Sequence, residues 1–466
     1  MNPSFHIIDF VIVGIYAILL VGVGLWVSRT KKGHTKTAED YFLASKALPW
    51  WAIGSSLIAA NISAEQFIGM SGSGFAGGLA IASYEFMAAL TLIIVGKFFL
   101  PIFIKQGIYT IPEFVEKRFS TNLKTILAVF WIALFVFVNL TSVLFLGGKA
   151  IDTIVGVGDG SMIVPAIIAL AIFAAAYSLY GGLSAVAWTD VIQVALLVIG
   201  GIITTLIALH YVTPDGGILN GISHIADAAS DKFDMVLSRD NKEFNNLPGI
   251  YVLIGGLWVA NLYYWGFNQY IIQRTLAAKS LTEAQRGIAF AAFLKMLIPF
   301  IVVIPGIVAW VMYSEDLYGA RSAFEIAGST ALNNDNAYPW LISTFIPVGV
   351  KGLVLAALAA AIVSSLASML NLTSTPFTMD IYKPYINREA SQTKLVNVGR
   401  LTAGIALIIA VCLAPLLGGI DQMFQYIQEY TGLVSPGILA VFLMGLFWKK
   451  ATNKGACWGV LCSIPI

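Results

Sequence analysis

The chain has 466 residues, 58% of them hydrophobic and only 11% charged, with a formal net charge of +2. Soluble domains carry about 25% charged residues, so an ordinary soluble or disordered chain is excluded. A nucleic-acid partner is excluded as well, because the net charge is small and no basic tail exists.

Apolar runs near twenty residues recur along the whole length, which describes a multi-pass membrane protein. Eleven spans are predicted, at 7–28, 51–71, 79–104, 124–149, 162–180, 187–211, 250–271, 287–312, 351–378, 397–417 and 424–448. A further apolar run from Ala456 stops at Ile466 and reads as the start of a truncated helix. The first span is long enough to cross a bilayer, about 33 Å at 1.5 Å per residue. No Lys or Arg precedes it and RTKKGHTK follows it. That is the reverse of a signal peptide, so it reads as a retained helix.

Span two carries a polar island, ANISAEQFIG, with Glu65 and Gln66 inside the apolar run. Span three carries Glu85, span four ends at Lys149, and span six carries Asp190. Span seven reads LWVANLYYWG, span eight holds Lys295, span nine reads AALAAAIVSSLASMLNLTST, and span eleven holds Gln428 and Glu429. The outer loops 212–249 and 313–350 are assigned no chemistry.

Basic residues test this map. The loops on the side reached by the end of the first span hold nineteen Lys and Arg, from Arg29 to Lys454 and including Arg274. The opposite loops hold four: Lys232, Arg239, Lys242 and Arg321. The positive-inside rule then places the N-terminus outside.

Spans two and seven share a pattern: Leu57, Ala60, Asn61 and Ile62 match Leu257, Ala260, Asn261 and Leu262. An odd number of helices separates their starts, so they enter the membrane from opposite sides. Paired interrupted helices in inverted halves point to a transporter's binding site, since a break must face protein or a water-filled cavity.

An ionisable group inside a span is a functional candidate by default. Glu85 and Lys295 lie too deep to reach an interface and are expected to pair, either bracing two helices or lining a solute site. Gln66, Asn261 and Gln428 add donors and acceptors of mixed type, which suit a polyhydroxylated neutral solute. Tyr84, Tyr263, Tyr264 and Trp265 add rings for an apolar sugar face. Ser364 and Ser365 either coordinate a hard cation or bond their own backbone.

Cys412, Cys457 and Cys462 have no metal spacing and read as buried thiols. The four histidines pair with no ligand at a helical offset. No acid/base pair, metal cluster or phosphate loop argues for an enzyme. A channel would lack the paired interruptions.

Five stretches, ANISAEQFIGMSGSG, GGLSAVAWTDVIQV, GGLWVANLYYWGFNQYIIQRTLAAKS, AAAIVSSLASMLN and QYIQEYTGLVSPGILAVFLMGLFWKK, resemble the sodium:solute symporter family, and most closely its bacterial sugar-carrying members. The resemblance runs from Val21 to Lys454. It implies an all-α, LeuT-like fold: two inverted five-helix units within 47–212 and 250–450, one extra helix within 1–46, an external loop 213–249, and a remainder at 451–466.

It also implies a secondary active transporter that couples inward Na+ movement to uptake of a hexose such as galactose or glucose. The alternative is a sodium symporter for another polar solute, such as proline. Gln66, Glu85, Asn261, Lys295, Gln428 and Tyr264 would bind the sugar, with Met70, Tyr84, Phe424, Tyr263 and Trp265 as gates. Na+ would bind at Ala59, Ile62, Ala361, Ser364 and Ser365, and Asp190 would lie on its exit path. The implied setting is the lipid bilayer of a bacterial inner membrane, in a monomer or a homodimer. At one position the chain departs: Ala88 stands where the family's galactose carriers have Ser.

Overall fold

A computed structural model describes residues 5–27, 29, 37–63, 65–108, 110–155, 160–213, 216–247, 249–326, 332–418 and 423–463. The basic residues Lys31, Lys32 and Lys36 lie outside them. Among the described residues the secondary structure is helical, apart from the isolated bridges Leu48–Ala278 and Glu325–Leu332. Eight helices among the described residues are long and apolar enough to cross a membrane, and a bent pair at 426–447 makes a ninth. Of the remaining predicted spans, span two is broken after Trp50–Asn61, and span five is the single helix Ile163–Gly181.

Contacts between loops check the alternation of the spans. On one side the bridge Leu48–Ala278 joins the approaches to spans two and eight, and Arg118 donates to the carbonyls of Gly445 and Trp448 at the end of span eleven. On the other, His224 meets Glu315 at 3.0 Å, and Lys149 donates to Asn333 Oδ1 at 3.0 Å. None of these pairs joins a predicted inner loop to an outer one. Lys149 therefore anchors an outer loop to the end of span four.

Span two breaks where the polar island begins. Its first half, Trp50–Asn61, ends as Ile62 turns to ψ 97°. The Ser63 N–H, which would have continued the helix onto the Ala59 carbonyl, is taken by Gln66 Oε1 at 3.1 Å. A π-helical turn, Glu65–Met70, then restarts the chain and leads into Ser71–Gly77. Span eight, Leu281–Ser314, packs directly on this second half. A Cβ at Gly306 would stand 2.1 Å from the Ser71 carbonyl, so only glycine allows the approach.

Span seven is also interrupted, but not at the matching residue. Leu257–Phe267 continues past Asn261, whose Nδ2 bonds the Leu257 carbonyl at 2.9 Å within the same helix. The turn out of the helix falls at Asn268, with ψ 124°, before Gln269–Leu276 resumes. The shared Leu-x-x-Ala-Asn pattern thus marks the break in span two and sits two turns ahead of it in span seven.

Span nine, Val350–Pro376, is the most enclosed element, with its small residues packed on all sides. The cysteines correct the sequence reading: Cys412 and Cys462 are exposed and Cys457 is half-buried. Cys412 and Cys462 lie on outward faces of their helices, where an apolar neighbourhood means lipid rather than core, while Cys457 packs against the core.

Candidate functional site

Helical spacing brings the polar residues together. After the break, Gln66 and Met70 are one turn apart; on span three Tyr84, Glu85 and Ala88 share a face; on span seven Ala260, Asn261, Tyr264 and Trp265 do so; and on span eleven Gln428 and Thr431 do so. With Lys295 from span eight and Asn61 from the break, they enclose one cavity of about 70 Å³. A water needs roughly 10–15 Å³ of such space, so there is room for several.

The electrostatic centre of the cavity is an ion pair. Lys295 Nζ donates to Glu85 Oε2 at 2.5 Å, with residues 1% and 2% exposed, so each charge is satisfied by the other rather than by water. The ammonium also lies 5.2 Å from the Trp265 ring centroid. Asn261 is held in place, accepting from Trp265 Nε1 at 3.2 Å while its own amide bonds Leu257. The Tyr84 hydroxyl is paired with Gln428.

Asn61 donates through Nδ2 to the Tyr264 hydroxyl at 3.1 Å, whereas its Oδ1 is buried with no hydrogen-bond partner among the described residues. A buried acceptor without a donor is destabilising unless a ligand or water supplies one.

The structure brings Gln66, Met70, Tyr84, Glu85, Asn261, Tyr264, Trp265, Lys295 and Gln428 to this cavity. Tyr263 is not there. It points into the helix packing, where its hydroxyl accepts from Trp131 Nε1 at 2.9 Å and it is fully buried. The side chains of Glu65 and Phe424 lie outside the described residues. Glu429, read as an intramembrane charge, is exposed. Asn61 and Ala260 stood in the pattern shared by spans two and seven but were not assigned to the site from sequence, and Thr431 was not singled out at all. Thr431 follows Gln428 at i+3, a spacing that identifies it once Gln428 is chosen.

The five residues expected to bind an ion lie beside the break. Ala59, Ile62, Ala361, Ser364 and Ser365 are fully buried. The end of the helix at Asn61 leaves main-chain carbonyls without their i+4 amides. Ser365 Oγ bridges the two elements by donating to the Ala60 carbonyl at 3.0 Å. Ser364 Oγ instead donates to Asp190 Oδ1 at 2.5 Å, and Ser56 Oγ donates to Oδ2 at 2.5 Å.

Arg274 completes this cluster. The sequence reading placed it in a cytoplasmic loop, yet it is 2% exposed. Its Nε donates to the Ser56 carbonyl at 3.0 Å and to Ser56 Oγ at 2.9 Å, and a terminal nitrogen donates to Ser368 Oγ. The signal for it was the polar set Gln269, Gln273 and Thr275 beside it, all buried and all within the resumed half of span seven.

Comparison with known proteins gives one consistent result. The model of the sodium:solute symporter family matches residues 41–463. The sodium/glucose cotransporter of Vibrio parahaemolyticus is 66% identical over 461 residues, covering 98% of this chain and 84% of that one. Sodium/glucose cotransporter 4 of Mus musculus is 32% identical over 486 residues, covering 100% of this chain and 69% of that one. Among solved structures, a Na+-coupled sialic acid symporter in a substrate-bound outward-open state superposes with a TM-score of 0.82 at 26% identity, covering 99% of this chain and 91% of that one.

Proposed function

The chain belongs to the sodium:solute symporter family, and from that premise we propose that it carries a hexose such as galactose or glucose into a bacterial cell, driven by Na+. Sodium is the coupling ion of the family, and the fold is LeuT-like: two inverted five-helix units behind one extra helix. The chain is a multi-pass transporter. In the proposed orientation its N-terminus is outside.

The observation that carries the hexose reading is the composition of the cavity. A carboxylate, an ammonium, four amides and a threonine hydroxyl line it, flanked by Tyr264 and Trp265. A ring of hydroxyls needs donors and acceptors on several sides at once, and its apolar face stacks on an aromatic ring. An anionic solute would meet the Glu85 carboxylate. The 66% identical relative bears the name sodium/glucose cotransporter, which agrees.

Na+ is proposed to sit between the broken end of span two and span nine, on the carbonyls of Ala59, Ile62 and Ala361 and the hydroxyls of Ser364 and Ser365. Bound there it holds the two elements together and favours the state that accepts sugar. The coupling is a difference in affinity between two states, and it is reciprocal. Asp190 lies on the route by which the ion leaves.

Uptake of labelled galactose into proteoliposomes under an inward Na+ gradient, with K+ as control, tests the reading. Accumulation that requires Na+ and is competed by glucose supports it. Accumulation of proline in place of galactose would favour the other solute. Ala88, which lines the cavity where the family's galactose carriers have a hydroxyl, is the position to examine in that case.

A further inference from the structure

The extra helix in front of the inverted repeat has a single charged residue on its buried face. Within Ile7–Val27 the buried residues are Asp9, Tyr16, Leu20 and Gly24, a stripe at helical spacing. Ile8, Phe10 and Val11 beside Asp9 are half exposed, while Asp9 is 0% exposed. A carboxylate in that setting has to be satisfied by protein.

Span nine satisfies it. Asp9 Oδ1 accepts from Gly349 N at 2.7 Å and from Gly352 N at 2.8 Å, and Oδ2 accepts from His6 N at 3.0 Å. The first N–H groups of a helix have no partner within it, and a carboxylate there also meets the positive end of the helix dipole. Such a cap normally comes from the residue just ahead of the helix. Here it comes from another helix, 340 residues away in sequence. The contact admits no side chain at position 352, where a Cβ would stand 2.6 Å from Asp9 Cα.

We propose that Asp9 is a positioning residue for sodium coupling: it pins the start of span nine, and so sets where Ala361, Ser364 and Ser365 meet the break in span two. The proposal rests on the ion site described under Proposed function. Ser365 lies on the same continuous helix as Gly352, about 20 Å further on at 1.5 Å per residue. A shift or tilt at the pinned end therefore moves the hydroxyls. None of the proposed sugar-binding side chains stands on span nine. Without the pin, Na+ itself has to order span nine against span two, so its apparent affinity falls although its ligands are unchanged. Saturating Na+ restores the ordered state, and sugar affinity returns with it.

The test is galactose uptake by the full chain in proteoliposomes, titrated with Na+ at fixed sugar and with sugar at saturating Na+. Asp9→Ala is expected to raise the sodium half-saturation by about threefold to thirtyfold, the range a lost helix cap gives. The sugar half-saturation at saturating Na+ stays within about twofold. Asp9→Asn keeps a side-chain oxygen for the two amides and stays within about threefold of the unaltered chain for sodium, since Asn caps as well as Asp. Gly352→Ala, which drives the helices apart, follows Asp9→Ala.

An unchanged sodium curve in Asp9→Ala, or a sugar half-saturation that moves in parallel with it at saturating Na+, overturns the proposal. If Asp9→Ala does not fold, Asp9→Glu, whose longer arm displaces the cap while keeping the charge, is read by the same criteria. If the unaltered chain takes up no galactose, the hexose reading fails by itself. The proposal is then read from melting temperature, which Na+ should raise at lower concentration in the unaltered chain than in the variant.

Discussion

The Asn61 side-chain amide donates to the Tyr264 hydroxyl at 3.1 Å, so the break in span two and the middle of span seven are joined across the cavity by one hydrogen bond. Each residue comes from a different half of the inverted repeat. Tyr264 also meets Trp265 edge-on at 5.1 Å, which keeps its ring at the cavity wall.

Tyr264→Phe should keep that ring and remove only the bond. A buried neutral hydrogen bond is worth about 0.5–1.5 kcal/mol net, which corresponds to roughly twofold to tenfold in an equilibrium. Efflux of preloaded galactose from proteoliposomes is expected to accelerate by that range, while binding in detergent changes little. Unaltered efflux would show that this bond does not help to keep the cavity closed.

The Glu85–Lys295 pair separates bracing from binding. Removing one partner leaves a buried charge unmatched, at about 3–5 kcal/mol. Glu85→Ala should therefore lower the melting temperature and abolish sugar binding together. Replacing both, Glu85→Gln with Lys295→Met, should recover most of the melting temperature but not galactose uptake. Uptake that returns along with stability would reduce the pair to a brace.

Much of this site was legible in the sequence, for a physical reason. A charge or amide inside an apolar run is rare enough to stand out, and helical spacing then assigns it a face, so Gln66, Glu85, Asn261, Lys295 and Gln428 were found without coordinates. Tyr263 was misplaced because adjacent aromatic residues point about 100° apart on a helix, and the pattern does not say which one faces the cavity. Arg274 was missed because a cation just past an apolar run looks like a loop charge. Its burial depends on the chain resuming as a helix after Asn268. The six-residue offset between the two breaks was equally hidden, since it is decided by whether Asn261 bonds back to Leu257.

Ser365→Ala should raise the sodium half-saturation by about tenfold, because it removes both a proposed ligand and the bond to the Ala60 carbonyl. Sugar half-saturation at saturating Na+ should stay near that of the unaltered chain. Ser364→Ala should behave differently. It also deprives the buried Asp190 carboxylate of a donor, so melting temperature and sodium dependence fall together. A sodium titration and a thermal melt on each variant distinguish the two roles. Identical behaviour would contradict the division drawn between them.

Arg274, Ser56, Asp190, Ser364 and Ser368 join four spans: two, six, seven and nine. They lie at the end of the bundle where Leu48 bridges Ala278, the proposed cytoplasmic end. Opening that end requires these bonds to part, and alternating access requires that they part only after sugar and ion are bound. Arg274→Lys should not substitute, because a single ammonium cannot span Ser56 and Ser368 as the planar guanidinium does. Arg274→Met should lower the melting temperature strongly by leaving Asp190 buried beside no cation, at roughly 3–5 kcal/mol. Adding Asp190→Asn removes the unmatched charge and should recover most of that loss. The double variant would then fold with a loosened cytoplasmic end. It should still pass galactose down its gradient yet fail to concentrate it against one when driven by Na+. If it accumulates galactose as the unaltered chain does, the cluster only braces the helices, and the gate lies elsewhere along the route from the cavity.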